Sequence, residues 1–526
     1  MASLEPPFPW GRNTHRRGQD PQEMEALFGR VLSYISNALP DPPVSADGDL
    51  CILFDADGGG VDRLSLLPDK LLGNIISRLT VKEAARTAAL SRRWRPIWRA
   101  TPLVLVDTHL LPAGGDEIPR HLDRASSSAV AAAVSRVLAA HPGPFRCVRL
   151  ACCYMGEHRT QFVRWLKILA DKGVQDLFLI NRPWPLQTFI KSPIPDTLFV
   201  INLTCLYLGL WKFPDTAGLP RGAAFPRLRE LGLFYLCMES RDIDFVISRS
   251  PVLEVLCFQG LFLPLRLCLV SQSLRCVQIS VCKLDSIVVV DAPRLERLLL
   301  QTTEPENGHT RIKIGHAPAL RLLGHFKMEK NELQVGNTII KAGTVTNPSV
   351  MVPTVKILGV TLRFGVRSDA KMLPSFLRCF PNADQLHIHS KKTTESTGRL
   401  SVKFWQESGS IKSIQSGIDM LSFRDFRGER GEVAFLKFFI ENAQRLTTLV
   451  IVYANGCLGS TDEAASKAKA LFAGKRASKR CLLVVCENAH AGGGDLWDYQ
   501  RGSDFSSPNP LAVIECSSLG AGRWSV

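Results

Sequence analysis

His387-Ile388-His389 sets two imidazoles two residues apart, so on a strand both stand on one side, which is half of what a metal site needs. No cysteine or carboxylate follows at ligand spacing, and the pair is read as two exposed histidines on a strand. Cys152 and Cys153 are neighbours, and the two faces of a strand would point them apart. The sequence has no GxSxG elbow and no HExxH helix, and the triple glycine Gly58 to Gly60 lacks the strand, the lysine and the spacing of a phosphate loop. No catalytic group, metal or cofactor is therefore expected. The chemistry left to the chain is association, and its densest source is the apolar, arginine-rich stretch from Asp62 to Trp98.

Three short helices have to position that stretch. Pro68 suits a first helical turn, and Leu71, Leu72, Ile75, Ile76 and Leu79 recur on one face. Thr80 followed by Glu83 is a capping box that starts a second helix, whose Ala84, Ala85, Ala88 and Ala89 permit close packing. Ser91 is placed to cap a third, on which Trp94, Ile97 and Trp98 share a face and which Pro96 must delay or kink. About forty residues cannot bury this many large apolar groups among themselves, so part of the surface is expected to belong to a partner.

At LPDKLLGNIISRL (67–79) and KEAARTAALSRRW (82–94) the sequence resembles the F-box in the form common in plants. That resemblance implies docking to a Skp-type adaptor and, through it, to a cullin scaffold, with the chain serving as the substrate-recognition subunit of an SCF ubiquitin ligase. It implies that Leu66, Pro68, Leu71, Leu72, Ile75 and Leu79 supply much of the docking surface and that Leu90, Ser91, Trp94 and Trp98 complete the bundle and its contact. The adaptors of this class are acidic. From Asp62 to Arg99 the chain carries nine Arg or Lys against three Asp or Glu, a local +6 that is compatible with such a partner.

The whole chain has 526 residues and a formal net charge of +15, which favours acidic partners without specifying them. Its 15 cysteines lack a CxxC pair and lie in apolar runs, which reads as buried thiols in a reducing compartment, cytoplasmic or nuclear, and not as a disulfide framework. Met1 to Pro9 has no secretory pattern, and no apolar run reaches the roughly twenty residues a membrane helix needs.

From Phe145 an apolar residue is followed by others three and five positions later, as in FPRLRELGL and APRLERLLL. With Val148, Leu177, Leu206, Leu231, Leu256, Val277, Leu298 and Leu323 as markers, the steps are 29, 29, 25, 25, 21, 21 and 25 residues. These fall within the leucine-rich-repeat range of about 20 to 29, in which each repeat adds a strand to a shared core. Irregular copies follow at Leu358 and Leu386. Outward positions such as Arg229, Glu254 and Glu296 are candidate ligand contacts, although the residues that grip a substrate are not readable. Farther on, GEVAFLKF (431–438) and the ensuing ENA resemble the FBD region that follows leucine-rich repeats in many plant F-box proteins. The basic cluster Lys475, Arg476, Lys479 and Arg480 reads as a solvated turn or, less readily, a nuclear-import signal.

The expected fold is α+β and multidomain: a three-helix F-box followed by a leucine-rich-repeat α/β solenoid. The expected order is a disordered leader over 1–60 with a possible amphipathic helix near Met24 to Ile35, the F-box over 61–106, and a connector with capping helix over 107–144. The solenoid then runs over 145–395, an FBD-like cap over 396–486 and a flexible tail over 487–526. A repeat scaffold independent of any ligase is the alternative, and a nucleic-acid binder the more remote one.

Overall fold

A computed structural model describes residues 21–46, 64, 66–220, 222–303, 308–344, 347–393, 400–457, 466, 470–488, 496–512 and 522–525. Two compact units divide the chain, one over Pro7–Leu263 and one from Pro264 onward.

The first unit opens with helix α1 (Pro21–Ala38), whose Phe28, Val31, Leu32, Ile35 and Ala38 recur on one face and are all buried. The leader is thus not disordered across this span, because the apolar stripe has a surface to cover. Arg149 Nη1 donates to the Pro40 carbonyl at 2.9 Å just beyond the helix. Gly58 to Gly60 and most of the residues joining this helix to the next lie outside the described residues.

Helices α2 (Asp69–Ile76), α3 (Val81–Thr87) and α4 (Trp94–Ala100) come next. Strand β1 (Leu103–Val106), a strand-like run after the helices in sequence although within the 61–106 bounds, pairs in parallel with β2 (Phe145–Leu150) and so belongs to the repeat sheet. Between them lies α5 (Arg124–Ala140), where the Asp123 carboxylate caps the Ser126 amide at 2.6 Å. Strands β3 (Asp176–Ile180), β4 (Cys205–Gly209), β5 (Glu230–Phe234) and β6 (Val255–Gln259) continue the sheet in chain order, each parallel to the last. Val148, Leu177, Leu206, Leu231 and Leu256 stand directly side by side across it, no more than 1 % exposed. Cys152 and Cys153 do not sit on a strand. They follow β2 in a bend whose Ala151 and Cys152 amides donate to the buried Asp107 carboxylate.

The second unit repeats the arrangement. Val277, Leu298, Leu323, Leu358, Leu386, Leu421, Leu449 and Leu483 align across eight parallel strands, from Cys276–Cys282 to Leu482–Glu487, and Gly522–Ser525 adds an antiparallel edge. Every aligned residue is fully buried. From Leu265 to Ile339 the return segments are strands and not the helices of an α/β solenoid, whereas the earlier 25-residue step from Leu231 to Leu256 still returns through the helix Ser240–Ser248. Leu265–Val270, Leu284–Asp291, Thr310–His316, Asn331–Val335 and Thr338–Ile339 form a second sheet. A strand rises about 3.3 Å per residue against 1.5 Å for a helix, so a strand recrosses the layer in fewer residues. Helices reappear as Arg367–Arg378 and Arg430–Asn442, in the 28-residue steps from Leu358 to Leu386 and from Leu421 to Leu449.

Two further expectations are corrected in this unit. Twelve of the described cysteines are free thiols, but Cys486 is disulfide-bonded, a pairing that sequence spacing cannot reveal. The tail is not uniformly flexible: residues 496–512 pack on the strand face, with Trp497, Tyr499 and Leu511 no more than 6 % exposed.

That packing also covers His387, and its neighbour His389 is half-buried. His387 is 3 % exposed with Nε2 3.0 Å from the Asn509 amide nitrogen, and His389 Nε2 lies 2.9 Å from the Asp425 carboxylate. Neither is the exposed strand histidine expected. Among the described residues no group of three or more His, Cys, Asp or Glu could hold a metal. Burial, reinforced by the Arg424 charge, pushes His387 from 6.5 down to about 3. Between these values the unfolded chain takes up a proton that the folded chain refuses. The contribution of His387 is therefore intact above pH 6.5 and is progressively lost as the pH drops toward 3. Denaturant melts of wild type and His387→Gln between pH 7 and 5 should show the shallower slope in the variant.

Candidate functional site

The α2–α4 module is built from few parts. Leu72 and Ile76 of α2, Ala84 of α3 and Trp94 and Ile97 of α4 form its interior. Thr80 Oγ1 accepts the Glu83 amide while the Glu83 carboxylate accepts the Thr80 amide, so the capping box is closed. Thr80→Ala should lower stability by ~1 kcal/mol, read as a shift of the thermal midpoint. Arg93 joins the starts of α2 and α4: it pairs with Asp69 at 2.7 Å and donates to the Leu67 carbonyl at 2.6 Å.

Ser91 is exposed and does not cap α4. The cap position is Arg93, and Pro96 falls in the first turn, where no intrahelical partner exists for its missing N–H. A glycine is required where the chain turns back past α4, since a β-carbon on Gly143 would sit 2.3 Å from the Arg99 carbonyl oxygen. Trp98, half-buried, turns its ring edge to His141, with centroids 5.0 Å apart, and so braces α4 against the end of α5.

The ten residues singled out from sequence therefore divide. Leu66, Leu71 and Leu90 are 74, 51 and 67 % exposed, and Pro68 and Ser91 are exposed with them. Ile75, one turn from Leu71 on the same helix, and Leu79 are half-buried. Leu72 and Trp94 are corrected: at 0 and 5 % exposure they are interior side chains, because α2 must turn one edge of its apolar stripe inward to hold α4. Leu64, which sequence reasoning passed over, adds another exposed leucine at 55 %. Large apolar side chains left in water at this density mark an association surface.

The suggested ligand contacts on the repeat strands are engaged with each other. Arg229 pairs with Glu254 at 2.5 Å and Arg275 with Glu296 at 2.7 Å, ladders along the strand starts that tie adjacent repeats. After the repeats, Trp405 of the helix Val402–Glu407 is the hub of an aromatic cluster, with ring centroids 5.0 Å from Phe435, 5.1 Å from Phe404 and 6.4 Å from Phe364. Sequence reasoning missed it, although the rings of Phe435 and Phe438 on the later helix needed a partner and Phe404-Trp405, about thirty residues earlier, could supply one. Glu432 is fully buried and accepts from Ser390 Oγ and from the Arg427 and Glu429 amides, which fixes the start of the Arg430–Asn442 helix.

A small helical module with exposed leucines, joined to parallel repeat strands and an aromatic-cored helix, defines a modular binding protein. Comparison with known families agrees in detail. Residues 64–104 match the F-box domain, 162–388 match the leucine-rich repeats of the FBD-associated F-box protein At5g56370, and 406–451 match the FBD region. The chain is 25 % identical over 440 residues to the Arabidopsis thaliana FBD-associated F-box protein At5g22720, covering 74 % of this chain and 88 % of that one. It is 26 % identical over 405 residues to the MEIOTIC F-BOX protein MOF of Oryza sativa subsp. japonica, covering 70 and 81 %. To the Arabidopsis F-box/FBD/LRR-repeat protein At1g13570 it is 28 % identical over 202 residues, which span 38 % of this chain and 44 % of that relative. The chain carries an F-box domain, leucine-rich repeats and an FBD region, the set that the plant proteins it resembles are named for.

Proposed function

We propose that the chain is the substrate receptor of an SCF ubiquitin ligase. Its α2–α4 module is the F-box bundle and takes a Skp-type adaptor onto Leu66, Pro68, Leu71, Ile75, Leu79 and Leu90, with Leu72 and Trp94 supporting that surface from within. The adaptor links it to a cullin scaffold, and the repeat strands hold a protein to be ubiquitinated. The chain itself is non-catalytic. It acts by holding substrate lysines near a ubiquitin-charged enzyme, which raises their effective concentration. Cytoplasm and nucleus are the compartments where this operates; among the described residues, no helix is long and apolar enough to cross a membrane.

One observation carries the reading: within the stretch that matches the F-box domain, Leu66, Leu71 and Leu90 are each more than half exposed. Arginines flank these leucines, including exposed Arg78, Arg92 and Arg95, which suits an acidic adaptor and predicts faster association at low salt. The test is titration of the full chain with a purified Skp-type adaptor. A stable one-to-one complex is expected, and no heat or co-elution at tens of micromolar protein would remove the reading.

A further inference from the structure

In the second unit the strand face that a ligand would use is already engaged, by residues 496–512 of the same chain. Arg297, 6 % exposed, lies some two hundred residues away in sequence and is spent on their main chain. Its Nη1 stands 2.9 to 3.0 Å from the carbonyls of Arg501, Gly502 and Asp504, and its Nη2 donates to Ser507 at 2.6 Å. Gln278 works from the adjacent strand: its Oε1 accepts Trp497 Nε1 at 2.8 Å and its Nε2 donates to the Tyr499 carbonyl at 3.0 Å. The Phe505 ring lies flat on Arg275, 3.5 Å from the guanidinium carbon. Asn509 reaches Gln385 and His387.

Two features distinguish this contact from core packing. The face is polar at its anchor points, whereas the opposite face of the same strands carries Val277, Ile279, Leu298 and Leu300, all no more than 1 % exposed. A guanidinium and two amides that exchange bonds to water for bonds to carbonyls make an interface able to open at modest cost. The segment also fits by side-chain pattern. A β-carbon on Gly502 would fall 2.3 Å from Gln278 Oε1, so a larger residue there must displace the Gln278 amide that holds Trp497 and Tyr499.

We infer that this strand face is a peptide-binding site that reads main-chain carbonyls through Arg297. The C-terminal segment is its resident in-cis ligand, and a protein partner displaces it with a segment of the same chemistry. That chemistry is an aromatic pair two residues apart, a glycine three residues after the second aromatic, and a phenylalanine three residues after the glycine. This deepens the receptor reading by naming the kind of segment a substrate presents, and it rests on that reading only for calling the partner a substrate.

The experiment uses the full chain and a fluorescent peptide of residues 496–512 as probe, followed by anisotropy without adaptor. The double variant Gly502→Leu, Phe505→Ala vacates the face and is expected to bind the peptide at least ~10-fold more tightly than wild type. Adding Arg297→Ala should weaken that binding by about 10- to 100-fold, the scale of lost hydrogen bonds to a charged group. A scrambled peptide should not bind. In wild type, amide exchange across 499–507 should be at least ~100-fold faster than in the strand Cys276–Cys282, because the segment opens without the sheet. An opened variant that keeps its far-UV circular dichroism and adaptor capture yet ignores the peptide overturns the inference. So does exchange of the segment at the rate of the strand, or an opened variant that unfolds, since either makes the segment an integral part of the fold. Adaptor titration of the same proteins reports separately on the ligase reading.

Discussion

Leu71→Asp combined with Ile75→Asp is expected to abolish capture of a Skp-type adaptor while the protein stays folded. The two positions are one helical turn apart on α2, and Leu71 is 51 % exposed, so an aspartate there costs the free chain little. In a complex the loss is large. Covering a leucine and an isoleucine contributes ~1.5 to 3 kcal/mol each, and two unpaired carboxylates would have to be dehydrated in their place. Affinity should therefore fall by more than about 100-fold. Lys82→Asp, a charge reversal at an exposed position of α3, is the control for net charge and should change association modestly. The contrasting variant is Leu72→Ala, which removes an interior side chain and should lower stability by ~2 to 5 kcal/mol. Calorimetric titration of the four proteins separates the roles, and unchanged capture by the aspartate pair would show that α2 does not face the adaptor.

Trp405→Ala should be the most destabilising single change in the FBD region, by ~3 to 5 kcal/mol. The indole is 1 % exposed and touches rings from three directions, so truncation leaves a void that those rings cannot all move to fill. Trp405→Phe keeps part of the contact and should cost clearly less. Denaturant unfolding reads both, and the adaptor affinity of Trp405→Ala should match wild type wherever the protein remains native, because the FBD match at 406–451 is far in sequence from the F-box match at 64–104. An alanine variant that melts like wild type would mean the aromatic cluster does not hold the end of the repeat array.

The repeat strands were legible to the residue. The markers from Val148 to Leu323 were read from apolar spacing alone, and the ladder pairs them side by side in both units, apart from the step between units. Period and core-facing alternation are local properties, so the chain displays them openly. The short second strands were missed for the complementary reason: LRLCLV and LDSIVVVD alternate, but a repeat template assigns the return segment to helix or loop. In the α2–α4 module the capping box could be read, since it spans four residues. Which of Leu71 and Leu72 faces outward could not, because both lie within one apolar stripe and only the position of α4 decides.

The sequence alone determined that this protein is a small helical module followed by stacked repeats, because helix caps, strand period and repeat spacing are each set within a few tens of residues. Tertiary structure decided what is available on those elements. Arg297 and His387 alternate outward on their strands and would pass for exposed ligand contacts, until a segment some one to two hundred residues downstream folds back and takes them. Exposure depends on what the rest of the chain brings near, and no local pattern encodes that.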